Sequence, residues 1–108
     1  MIAVIFEVTL EPTEADRYFD LAASLRNELD GADGFISIER FKSLAEKNKF
    51  VSLSFWRDRD AVEAWYRLPR HRKAQEQGRQ GIFRDYRIRV AEVFRDYDMA
   101  QGRPVASD

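Results

Sequence analysis

A chain of 108 residues has room for one domain of ordinary size and no second core. Its 18 Lys and Arg against 19 Asp and Glu leave a net charge of −1, so there is no basic surplus for nucleic acid. Apolar residues make up 44%, enough for a core, and the absence of cysteine excludes disulfides, thiolate catalysis and Cys-held zinc or iron–sulfur.

Met1-Ile2-Ala3-Val4-Ile5-Phe6 lacks the basic start and small-residue cleavage site of a signal peptide, and reads as the opening of a strand over 2–10. Ile2, Val4, Phe6, Val8 and Leu10 form one face of it. After Pro12, the run Thr13-Glu14-Ala15-Asp16 is a capping-type helix start. Ala15, Tyr18, Phe19, Ala22, Leu25 and Leu29 then form a helical apolar stripe, closed by Asp30-Gly31 as a left-handed stop. Gly34 releases a second strand over 35–41, and Ala45-Glu46-Lys47-Asn48 turns it into a third over 50–56, an antiparallel hairpin. Asp58 caps the next helix, whose Ala61, Val62 and Trp65 face inward. Pro69 interrupts that helix and starts a second piece to about residue 77. Gly78 and Gly81 break it, and a last strand covers 83–94. The domain is expected over 1–97, with 98–108 a tail that is flexible or crosses to a partner.

The order β-α-β-β-α-β predicts an α+β, ferredoxin-like domain, a four-stranded antiparallel sheet with helices on one face. The other face would carry residues such as Ile5, Ile36, Ile38, Val51, Leu53 and Phe55, or their alternating neighbours. An apolar face of that extent predicts a homodimer through the open sheet, since a two-fold interface is self-complementary. No apolar run approaches the ~20 residues of a membrane span, and a cysteine-free chain suits a reducing cytoplasm, the expected location.

Gly34-Phe35-Ile36-Ser37 opens the second strand and Leu53-Ser54-Phe55-Trp56 ends the third. Ala61-Val62-Glu63-Ala64-Trp65 is followed by His71, and Tyr86-Arg87-Ile88-Arg89-Val90-Ala91-Glu92-Val93 closes the series. In their order and spacing these runs, across about residues 2–97, resemble the antibiotic biosynthesis monooxygenase family of dimeric α/β barrels. The resemblance implies two sheets packed face to face in a dimer, with a pocket between helices and sheet in each subunit. It implies a cofactor-free monooxygenase acting on a small aromatic or quinol-like compound, which itself activates oxygen. Other members degrade haem, and many have no known activity, so fold is implied more firmly than reaction.

Trp65 matches the helix tryptophan near the pocket of several family enzymes, and it also reads as a large core side chain. His71 is the only histidine, a general base toward a phenol or an exposed residue between Arg70 and Arg72. At helical spacing His71, Gln75 and Arg79 share a face, where an amide and a guanidinium would position or polarise ligand oxygens. Phe83 and Tyr86 line the pocket or belong to the core, and Phe6 stands on the first strand where the haem-degrading branch carries Asn. That branch also places a His ten residues after the Trp; here the position is Gln75, a poor iron ligand, so haem degradation is the lesser reading.

No metal is expected from one His and scattered carboxylates, and neither G-x-S-x-G nor G-x-G-x-x-G occurs. The implied reaction requires no cofactor. RNA-recognition domains share the strand order, but Lys49-Phe50-Val51-Ser52-Leu53-Ser54-Phe55 lacks their glycine and aromatic pair. A rival from another class is a non-catalytic dimer that binds or senses a small hydrophobic molecule.

Overall fold

Strand β1, Ile2–Leu10, turns Ile2, Val4, Phe6, Val8 and Leu10 toward the helices, as its alternation predicts. The computed structural model describes residues 1–102, apart from the side chains of residues 70, 71, 74, 75, 78 and 79. Helices α1 (Ala15–Ser24) and α2 (Arg26–Asp30) follow β1, then the hairpin β2 (Phe35–Lys42) and β3 (Lys49–Trp56). Helices α3 (Arg59–Arg67) and α4 (Pro69–Gln77) lead through a π turn, Gly78–Ile82, into β4 (Phe83–Glu92). The strands lie in the order β2-β3-β1-β4 and all pairs are antiparallel, the ferredoxin-like arrangement. Within one chain the sheet is open, with β2 and β4 as its edges.

Two helix boundaries differ from expectation. Glu14, not Thr13, is the N-cap of α1, and no side chain caps it; Glu14 instead pairs with Arg17 at 2.9 Å. Gly31 ends α2 in a right-handed conformation, φ −89°. The left-handed glycine is Gly34, φ +83°, whose missing Cβ lets α3 approach: a Cβ there would lie 2.5 Å from that of Ala61. Arg57 fastens this loop. Its backbone N–H donates to the Gly34 carbonyl at 2.7 Å, and its guanidinium grips both oxygens of Asp33 at 3.1 and 3.0 Å. Those hydrogen bonds hold the Asp33 carboxyl below its ordinary range.

Asp58 caps α3 as predicted, accepting from the Ala61 N–H at 2.9 Å. Leu68 is extended (ψ 133°) because proline disfavours a helical predecessor, and Pro69 then opens α4. Gly81, φ +118°, turns the chain into β4.

Strand β2 holds a bulge between Phe35 and Ser37. The extra residue lets Phe35 and Ile38 both face the helices and leaves Ile36 exposed. Ile38 therefore leaves the open face on which the sequence had set it. That face carries Ile5, Val51, Leu53 and Phe55, half-buried, with exposed Phe41 on β2 and the Glu7–Arg89 ion pair at 3.0 Å beside them. Of the expected tail, residues 103–108 lie outside the described residues.

Gly34→Ala is expected to cost roughly 1–3 kcal/mol, because a side chain there meets both a left-handed backbone and Ala61. Urea unfolding measures it; an unchanged midpoint would show that α3 has room to retreat.

Candidate functional site

The helix-facing row of β3 runs Phe50, Ser52, Ser54, Trp56, two small polar residues between two large aromatic ones. The core divides around that gap. One cluster gathers Trp56, Trp65, Val62, Leu29, Ile2 and Val4; the other gathers Val8, Leu10, Tyr18 and Ile82, with Phe6, Phe50 and Phe83 against it. Between them, under α1 and α3, lies a cavity of about 160 Å3.

Aromatic rings wall it at both ends. Trp56 and Trp65 meet with ring centres 5.9 Å apart. At the other end Phe6, Phe83 and Tyr86 form a triangle with centres 5.7 to 5.9 Å apart, and Tyr18 stands 6.1 Å from Phe83. Polar groups are few. The Trp56 indole N–H donates to the Ser54 hydroxyl at 3.0 Å, and both residues are buried. Ser52 and Arg40 lie directly opposite each other on β3 and β2, and both line the cavity. Tyr66 lines it from α3; burial, and secondarily the Glu63 charge, pushes its phenol above the ordinary tyrosine range. It is therefore a neutral hydroxyl at physiological pH. Among the described residues no three His, Cys, Asp or Glu side chains gather to hold a metal ion.

Four residues singled out in the sequence, Phe6, Trp65, Phe83 and Tyr86, come together on this cavity. His71 and Gln75 fall on α4 and Arg79 in the π turn, but their side chains lie outside the described residues. Sequence reasoning missed Tyr18, Arg40, Ser52, Trp56 and Tyr66 as lining. The alternation of β3 held part of the signal: with Val51, Leu53 and Phe55 on the open face, the serines must face the helices.

The sequence profile of the antibiotic biosynthesis monooxygenases matches residues 1–77. The chain belongs to this family. A jasmonate monooxygenase of Pyricularia oryzae is 46% identical over 93 residues, which cover 86% of this chain and 43% of that protein. YqjZ of Bacillus subtilis, an uncharacterized protein, is 30% identical over 75% of this chain and 63% of its own length. The chain thus spans less than two thirds of either relative. Solved structures share the fold at low identity. A candidate antibiotic biosynthesis monooxygenase of Deinococcus radiodurans superposes with a TM-score of 0.82 at 15% identity, covering 92% of this chain and 98% of that one. Rv0793 of Mycobacterium tuberculosis gives 0.79 at 18%, covering 90% and 98%. The family match ends with the last residue of α4, yet β4 pairs with β1 from Ile2 to Leu10, so the sheet includes a strand beyond the match. Among the described residues no helix is long and apolar enough to cross a membrane.

Ser54→Ala would strand the buried Trp56 indole N–H. The expected loss of stability is about 1–3 kcal/mol, the cost of one unsatisfied buried donor. Thermal unfolding measures it, and a neutral result would mean that another group takes the indole proton.

Proposed function

We propose that this member of the family is a cofactor-free monooxygenase of a small, single-ring aromatic or quinol-like compound. The observation that carries the reading is the aromatic cavity between helices and sheet. Its size supports a small substrate: a space of about 160 Å3 suits one ring, since a cavity of roughly 150 Å3 holds benzene. A fused polycyclic substrate would require the walls to part. The Pyricularia oryzae relative, named a jasmonate monooxygenase, supports an oxidation of a small molecule.

In the proposed reaction His71 takes the proton of a ring hydroxyl, and the resulting anion is electron-rich enough to reduce oxygen. A phenol and O2 give a quinone and water: one oxygen atom stays on the ring carbon, and the other leaves with the two hydrogens. Trp65, Phe6, Phe83 and Tyr86 hold the ring, while Gln75 and Arg79 position its oxygens. An oxygen electrode with single-ring phenols and hydroquinones tests this, corrected for uncatalysed oxidation. Protein-dependent uptake matched by quinone is expected, and His71→Ala should lower turnover roughly 10²-fold without unfolding the chain. Saturable binding with no uptake would favour the rival reading, a small-molecule sensor.

The proposed assembly is a homodimer packed through the open sheet face, which completes the α/β barrel. Ile5, Val51, Leu53 and Phe55 point away from every helix of their own chain, and a second copy is the simplest cover. Sedimentation at micromolar concentration should give twice the 12.7 kDa of one chain. Leu53→Lys with Phe55→Lys should give monomers, because a buried unpaired charge is costly. A wild-type monomer would remove the face-to-face arrangement.

A further inference from the structure

The floor of the cavity is one row across the sheet: Arg40 on β2, Ser52 on β3, Phe6 on β1 and Ile88 on β4, paired in register. All four line the cavity, so the row runs from a cation through a hydroxyl to two apolar side chains. Arg40 is exposed on the edge strand, which sets it at the mouth, whereas Ser52 is buried at 9% exposure. Neither side chain hydrogen-bonds or ion-pairs with any described residue. The other cavity serine, Ser54, is engaged by Trp56. Arg59, Arg67 and Arg87 are likewise unpaired among the described residues, and what sets Arg40 apart is its place as the one cation of the cavity's described lining. A cavity-lining polar group with no partner in its own chain can take one from a ligand.

We propose that Arg40 and Ser52 form an anion subsite, and that the ligand is a single apolar ring bearing one carboxylate. Strand pairing places the two Cβ atoms roughly 4.5–5.5 Å apart, a separation that one carboxylate can bridge. Its oxygens accept from the guanidinium and from the hydroxyl, while the ring lies inward against Phe6 and Ile88. Lys42, two residues along the same strand face, has no carboxylate partner among the described residues either, and it adds positive charge outside the cavity lining. The amphipathic ligand thus matches the gradient of the floor, charged end at the open edge and ring in the aromatic interior. This inference rests on the proposed function for the cavity being the ligand site, and it names the substrate class of that site.

Phenylacetate and its methyl ester share a ring and differ in charge, and quenching of Trp56 and Trp65 reports binding of either to the intact chain. Phenylacetate is expected to half-saturate at roughly tenfold or more lower concentration than the ester, the usual worth of a charge-assisted contact. Arg40→Gln should erase that difference by weakening the acid alone, and Ser52→Ala should weaken the acid more than the ester. Lys42→Gln, off the cavity, should shift the acid roughly twofold at most. Equal affinity for acid and ester overturns the inference. So does an equal loss for both ligands in Arg40→Gln, an effect of Lys42→Gln as large as that of Arg40→Gln, or no binding of either at millimolar concentration. Oxygen uptake plays no part in this measurement, so loss of the acid preference leaves the oxygenase reading standing, and absence of turnover leaves the acid preference standing.

Discussion

The interior of this domain is organised by a shortage of side-chain volume at the centre of one strand. A sheet covered by helices is normally filled to crystal-like density, with large apolar residues turned toward the helices. On β3 that side holds Ser52 and Ser54, flanked by Phe50 and Trp56. The helices above are held off by those two rings and by Trp65, so they cannot settle into the space over the serines. What remains is a cavity whose ends are aromatic and whose floor is in part polar. Ser54 closes the hydrogen-bonding account of the buried Trp56 indole, which fixes that ring as a wall.

The same strand explains the other side of the sheet. Alternation sends Val51, Leu53 and Phe55 outward, paired in register with Phe41, Glu39 and Ser37 on β2 and with Glu7, Ile5 and Ala3 on β1. β3 therefore has its polarity inverted relative to a sheet with one wet face, with serines under the helices and apolar residues away from them. Cavity and open apolar face are two consequences of one pattern of residues.

Family membership narrows the chemistry less than it narrows the fold. The solved relatives lie below 20% identity yet superpose over nine-tenths of the chain, so strand order and helix placement persist while cavity linings are free to change. If the cavity is the ligand site, as proposed, selectivity resides in the few polar side chains around an apolar space. In this chain the described ones are Arg40, Ser52, Ser54 and the phenols of Tyr18, Tyr66 and Tyr86.

Much of the architecture was legible in the sequence because it depends on local periodicity and on residues with strong backbone preferences. The alternation of β1, the Asp58 cap, the break at Pro69 and the strand order all follow from such signals. Glycine chemistry was legible only in part: Gly31 and Gly34 look equally suited to a left-handed turn, and the close approach of Ala61 selects Gly34. Of the site, Phe6, Trp65, Phe83 and Tyr86 were found from pattern and family likeness, yet their meeting on one cavity spans three elements far apart in the chain. Ser52 had only the alternation of β3 to place it under the helices, and Arg40 and Tyr66 carried no signal of their own, for an arginine on an edge strand is ordinarily a solvated charge. The sequence by itself determined which residues alternate, where helices start and break, and hence the ferredoxin-like order. Only the tertiary structure decided which side of β2 Ile38 and Arg40 occupy, because a one-residue bulge exchanges the faces and no local propensity announces it.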